Sequence, residues 1–308
     1  TLSNYYASNG VSTVCMTTIT DSLENVLAAC SRIAERAKAG TTGADIGGIY
    51  LEGPYLSAKF RGAHAEEMLR ELDIDEIQQI IDAAQGYLRV FAMAPEKAGA
   101  VEAINYLNAK GVKVSLGHSA ATMAEAIPAI DAGGKILIHT YNAMAGLNHR
   151  NVGLLGMALI RDDMYCEVIC DMIHVCPEAL KIVFKCKNSD KIILITDSVQ
   201  PAGMPDGMYK QGALDVIVKD GISRTADTGA LSGSSLRSNL ALKNAVEKLD
   251  VTVAEATKML TINPARALGL DGEIGSIDTG KRAHLTALDE DYNVVLTMVD
   301  GRIVYDNR

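Results

Sequence analysis

No run of apolar residues in this 308-residue chain reaches the roughly 18 to 20 that a bilayer-spanning helix needs. The first residues, TLSNYYASNG, also lack the basic stretch and apolar core of a secretory leader. The expectation is an unexported, cytoplasmic protein with no membrane partner. Six cysteines (Cys15, Cys30, Cys166, Cys170, Cys176, Cys186) form no CxxC pair and sit in apolar segments. They read as buried small hydrophobes in a reducing compartment, without disulfides or a cysteine zinc site. Positive charge is in deficit too: 29 Lys and Arg face 38 Asp and Glu, a net charge of -9, and no basic patch compensates. That argues against nucleic acid or an anionic membrane as partner. Short-period repeats and low-complexity tracts are absent, and a chain 48% hydrophobic is long enough for one large domain plus a small accessory piece.

What is present is a strand-then-helix unit recurring at irregular spacing. Short apolar runs occur at 11–16, 46–51, 88–93, 112–116, 136–138, 165–170 and 192–196. Helix-like sequence follows each run. The clearest is 21–38, where Leu23, Val26, Leu27, Cys30, Ile33 and Ala37 make one apolar stripe, with Asp21 as N-cap and Gly40 as stop. Further stripes lie near 75–84, 98–109, 122–131 and 177–187. Strands without alternating polarity imply a parallel sheet buried on both faces, and seven units are one short of an eight-stranded (β/α) barrel. The missing unit is expected before Thr1, with the protein beginning roughly 70 residues earlier, because a barrel lacking one strand leaves open edges. After Asp197 come a Gly-rich stretch at 203–233 with a turn at Asp206 and Gly207, two helices at about 235–249 and 252–260, and short strands from 273 to 306. This last part is too small for its own core and is expected to pair with strands from upstream. The predicted division is a barrel domain over 1–270 and, over 271–308, part of a small β-sandwich.

In such a barrel the chemistry sits at the carboxy ends of the strands. Glu52, His118, His139, Asp171 with His174, and Asp197 follow successive apolar runs. One carboxylate and two imidazoles from neighbouring strands can hold a divalent ion and leave a position open for water, the arrangement of catalytic zinc. Such an ion lowers the pKa of its water from about 15.7 towards about 7. Asp197, after the last strand, is placed to take that water's proton and return it to a leaving amine.

At these residues the chain resembles the N-acetylglucosamine-6-phosphate deacetylases of the amidohydrolase superfamily. The motifs that carry the resemblance are LEGPYLSAKFRGAH (51–64), GHSAAT (117–122), HTYNAM with a following HR (139–150), DMIH (171–174), TDSVQPAG (196–203), GALSGSS (229–235) and NPARALG (263–269). The resemblance implies a (β/α)8 TIM-type barrel of the amidohydrolase kind and hydrolysis of the acetamido group of N-acetylglucosamine 6-phosphate to glucosamine 6-phosphate and acetate, in amino-sugar catabolism. It implies Glu52, His118 and His139 as metal ligands, Asp197 as general base and acid, and His174 as a contact near the scissile amide. His64 and Arg150, with the backbone of Asn142 and Ala143, match contacts to the sugar phosphate, and Leu231 is a wall against the acetyl group. The cofactor is a divalent metal, zinc first, with iron, manganese, cobalt or nickel as alternatives and one or two ions left open. The partner is a small phosphorylated amino sugar, and a phosphate cradle completed from a neighbouring subunit implies a homodimer.

Two departures stand out. Tyr50 precedes Leu51 where members often have His, and Gln200 and Pro201 follow Asp197 where small residues are common, which leaves the sugar epimer open. A cyclic amidase is disfavoured because MAPE (93–96) offers no lysine at the fourth strand. A silent sugar-phosphate binder has no need of a water-activating set. His149 reads as a surface neighbour of Arg150, His284 as structural, and Cys176 as lacking anything that would activate a thiolate.

Overall fold

The computed structural model describes residues 2–308. Its short apolar runs become strands because β-branched and aliphatic residues cover both faces, so each strand must be sandwiched on either side. Helix α1 (Leu2–Ser8) precedes β1 (Thr13–Thr18), α2 (Leu23–Ala39), β2 (Asp45–Glu52), α3 (Ile74–Ala83), β3 (Leu88–Met93), α4 (Ala100–Ala109), β4 (Lys113–Leu116), α5 (Met123–Asp131), β5 (Gly134–Leu137), α6 (Gly153–Ile160), β6 (Tyr165–Ile169), α7 (Pro177–Cys186) and β7 (Ile192–Ile195). The seven strands pair in sequence order, all parallel, as a half-barrel with helices on its outer face. One continuous core lies between sheet and helices, with Ile49, Leu51, Phe91, Leu116 and Leu137 fully buried.

Local chemistry sets the helix ends. Ser22, not Asp21, caps α2 by accepting the Asn25 N–H at 3.3 Å, while Asp21 accepts the N–H of Ser22. A capping box of Thr122 and Glu125 opens α5, an arrangement worth about 1 kcal/mol. Helix α6 reads GLLGMALI and is buried from Gly153 to Leu159, so it shows no stripe by which sequence could reveal it.

Beyond β7 the Gly-rich stretch is more ordered than the sequence suggested. It folds as an antiparallel sheet of β8 (Gly207–Gln211), β9 (Leu214–Lys219) and β10 (Ile222–Thr225), so Gly207 begins a strand rather than completing a turn. Helices α8 (Ser238–Leu249), α9 (Val253–Leu260) and α10 (Ile262–Leu268) follow, and then β11 (Leu285–Leu288), β12 (Val294–Val299) and β13 (Arg302–Asp306). These last three form a small antiparallel sheet. Helix α1 packs on it, with Thr297 Oγ1 donating to the Ala7 carbonyl at 2.7 Å. Arg282 ties the sheet to the half-barrel by bridging Asp300 and, at 2.6 Å, Asp45 of β2.

All six cysteines are free thiols, but Cys176 and Cys186, at the two ends of α7, are exposed. The expectation of uniform burial fails there because a helix terminus leaves the apolar face that its interior occupies. No described helix is long and apolar enough to cross a membrane.

Candidate active site

Glu52 is the last residue of β2, and His118, His139 and Asp197 each stand two residues past the ends of β4, β5 and β7. His118, His139 and Asp197 all have positive φ (45°, 25° and 49°). Non-glycine residues adopt that region rarely and chiefly where surrounding structure enforces it at functional sites. Here the turn swings each side chain from the strand direction into the mouth of the half-barrel. Gly117 makes room for it: a Cβ there would meet Ile138 Cγ2 at 2.1 Å.

The ligand atoms of Glu52, His118 and His139 lie within 4.8 Å of one another. His118 Nε2 is 3.0 Å and His139 Nε2 3.3 Å from Glu52 Oε1, and the two imidazole nitrogens are 2.9 Å apart. His118 Nδ1 is 2.9 Å from the Phe60 carbonyl oxygen. A carbonyl only accepts, so Nδ1 carries the proton and Nε2 of the neutral ring presents a lone pair. Burial keeps that ring neutral, its pKa drawn down to about 4. Burial alone would raise the Glu52 carboxyl, but the imidazoles of His118, His139 and His64 gathered around it hold it well below its ordinary value. A carboxylate and an imidazole lone pair facing each other at this distance need a cation between them, and a divalent metal fits the set.

His64, expected at the phosphate, stands at this cluster. Its Nε2 is 3.5 Å from Glu52 Oε1, its Nδ1 is 2.7 Å from Thr20 Oγ1, and its ring meets His118 edge-on. Asp197 faces the same space. Burial, reinforced by the charge of Glu52, raises its carboxyl. Its backbone is pinned by Ser234, whose N–H donates to the Asp197 carbonyl at 2.7 Å. His174 is aimed by Asp171: Oδ2 is 2.6 Å from Nδ1, while Oδ1 accepts the N–H groups of Ile173 and His174 at 2.8 Å each.

These groups line a cavity of about 1160 Å³ whose wall also includes Asn142, Ala143 and Leu231. Arg150 is not brought to it; it is exposed on the loop before α6, with only its backbone N–H held, by Asn148. Gln200 lines the cavity as well. Sequence reasoning missed the supporting roles of two carboxylates. Glu96 brackets the GHS turn, accepting from Ser119 Oγ at 2.7 Å and from the Ala120 N–H at 2.6 Å. Asp171 was noted, but its hold on His174 was not. The DMIH spacing offers a signal for it, since an Asx turn places the acid against a side chain three residues on.

Asp45, His284 and Asp300 also gather. Arg282 already occupies that group as its cation, and His284 bonds to Thr13 at 2.8 Å, so the cluster is a structural one.

The model of the Amidohydrolase family matches residues 2–304. N-acetylgalactosamine-6-phosphate deacetylase of Escherichia coli O157:H7 is 44% identical over 98% of this chain and 80% of its own length. N-acetylglucosamine-6-phosphate deacetylase of Vibrio furnissii is 39% identical over 99% of this chain and 76% of its own. Among solved structures, the Mycobacterium smegmatis N-acetyl-D-glucosamine-6-phosphate deacetylase in complex with N-acetyl-D-glucosamine-6-phosphate superposes with a TM-score of 0.93 at 33% identity, covering 98% of this chain and 78% of that one. The Thermotoga maritima N-acetylglucosamine-6-phosphate deacetylase gives 0.93 at 35% identity, with coverage of 99% and 82%. Three of these four carry the name that the sequence motifs suggested, and the first is named for the galacto epimer.

Proposed function

Since the chain belongs to the amidohydrolase family, we propose that it hydrolyses the acetamido group of N-acetylglucosamine 6-phosphate to glucosamine 6-phosphate and acetate. The observation that carries this reading is the convergence of Glu52, His118 and His139 on one point in a cavity that Asp197 and His174 also line. Glu52, His118 and His139 would hold a divalent ion, zinc in our reading, which when bound would supply Lewis acidity to the acetyl carbonyl and to water. Asp197 removes the proton from the attacking water and delivers it to the amide nitrogen as the C–N bond breaks and the new C–O bond forms. Its raised pKa suits both halves of that transfer. His174, its Nδ1 fixed on Asp171, presents Nε2 to the carbonyl side. His64 joins it there, and Leu231 confines the acetyl methyl.

The backbone of Asn142 and Ala143 takes the phosphate, with Arg150 of a second copy supplying the planar fork in a homodimer. The finer architecture is an eight-stranded barrel to which 1–270 contribute the seven parallel strands, with 271–308 forming part of a small β-sandwich. The TM-scores of 0.93 support it.

The sequence relationship supports a second substrate. The 44%-identical relative acts on the galacto epimer by name, and Gln200 lines the cavity where small residues are common in the family. Acetate release from N-acetylglucosamine 6-phosphate, N-acetylgalactosamine 6-phosphate and unphosphorylated N-acetylglucosamine, with zinc added, tests both. Turnover of the two phosphate esters only, the gluco epimer faster, is expected. A faster galacto epimer replaces the substrate assignment, and turnover of the free sugar at an equal rate overturns the phosphate reading.

A further inference from the structure

Below the ligand cluster the half-barrel interior carries a buried carboxylate that none of the roles above uses. Interior layers of such barrels are filled mainly by branched apolar side chains from alternate strands. Here the alternate strands β2, β4 and β6 contribute Tyr50, Ser115 and Glu167. Glu167 is 6% exposed. Its Oε2 accepts from the Tyr50 hydroxyl at 3.1 Å, and among the described residues no other side chain donates to it. Tyr50 is the residue that departs from the family pattern, and the structure gives it this partner. His139, which lines the same cavity as Glu167, has its Nδ1 buried without any hydrogen-bond partner among the described residues. When Nε2 serves as a ligand, Nδ1 carries the proton, and a buried N–H with no acceptor is destabilising. Ligating histidines nearly always hand that proton to a carboxylate or carbonyl.

We propose that Glu167, braced by Tyr50, is a positioning residue for the metal cluster, offering its carboxylate to the Nδ1–H of His139. The backbone brings the two residues together, since the N–H of Thr140, next to His139, donates to the Glu167 carbonyl at 2.8 Å, and both line that cavity. An otherwise unpaired buried carboxylate is costly. A dication above it supplies the missing countercharge, so Glu167 stabilises the loaded cluster more than the empty one.

The inference rests on Glu52, His118 and His139 being ligands, and the experiment separates the two claims. Zinc affinity is measured by chelator competition, and cobalt(II) absorption recorded, for the full chain and for Glu167→Gln, Glu167→Asp and Tyr50→Phe. Glu167→Gln is expected to lose about 10- to 100-fold in zinc affinity and to shift the cobalt bands, while its metal-free Tm stays level or rises. Glu167→Asp recovers part of the affinity, and Tyr50→Phe loses several-fold. Unchanged affinity in Glu167→Gln overturns the inference and leaves the ligand assignment standing, as does a lowered metal-free Tm with normal affinity, which marks a purely structural role. A parent chain that binds no metal at all overturns both.

Discussion

Asp171 and His174 form a fixed pair: one carboxylate oxygen sits 2.6 Å from Nδ1 of the imidazole while the other holds the two N–H groups of the turn between them. The acid therefore sets both the ring's orientation and its tautomer. Asp171→Asn can still accept from the turn but presents an amide to the ring, and a wrong tautomer is costly where Nε2 must act. The expected result is a fall in kcat of tenfold or more, with zinc content and Tm near those of the parent. A kcat within twofold of the parent removes His174 from the chemistry.

Asp197→Asn keeps the size of the side chain and loses proton transfer. We expect kcat to drop by about 10²- to 10⁴-fold with bound metal retained. Steady-state acetate release together with metal analysis decides it. Near-normal turnover would falsify the role given to Asp197.

Arg150→Ala acts on the phosphate, not on the scissile bond, so KM should rise by tenfold or more while kcat changes little. Because Arg150 is exposed outside the cavity wall of its own chain, a mixed dimer of Arg150→Ala with a Glu52→Ala partner is informative. If the arginine acts across the dimer, that pairing leaves one site complete, with an intact cluster and its partner's arginine, and the other with neither. About half-normal activity at low substrate is therefore expected. Activity that nearly vanishes there places the arginine in cis.

The Arg282 bridge predicts an acid response. Its hydrogen bonds hold the Asp300 carboxyl at about 2, below the ordinary 3.8. A depressed carboxylate contributes stability above its unfolded value and loses that contribution as pH falls towards its folded one. Tm should therefore decline between about pH 4 and pH 2 in the parent, and Arg282→Ala should flatten that decline while lowering Tm at neutral pH. Asp300 is partly exposed, so added salt should blunt the effect.

The seven parallel strands were legible because burial on both faces writes each as an unbroken apolar run, and reading the residue after each run gathered Glu52, His118, His139 and Asp197. Helix α6 was not legible for the converse reason: buried all round, it has no polar face to set a period. The three-stranded sheet after β7 hid behind its glycines. The bracket on His118 is the carbonyl of Phe60, and a carbonyl is common to every residue type, so no letter announces it. His64 was placed by motif at the phosphate, yet its position is set by Thr20, distant in sequence.

The sheet of β8, β9 and β10 leaves the chain just after Asp197 and returns at Ser234. There the Val199 N–H donates to the Ser234 carbonyl at 3.0 Å and the Ser234 N–H to the Asp197 carbonyl at 2.7 Å. Its exit and entry are thus buttoned together beside the proposed base. An excursion closed at its root is a self-contained cassette whose far end can be lengthened without stretching what lies beneath. The exposed β9–β10 hairpin turn at Asp220 and Gly221 is accordingly a natural port for grafting a reporter domain, whereas the button itself transmits any strain straight to Asp197.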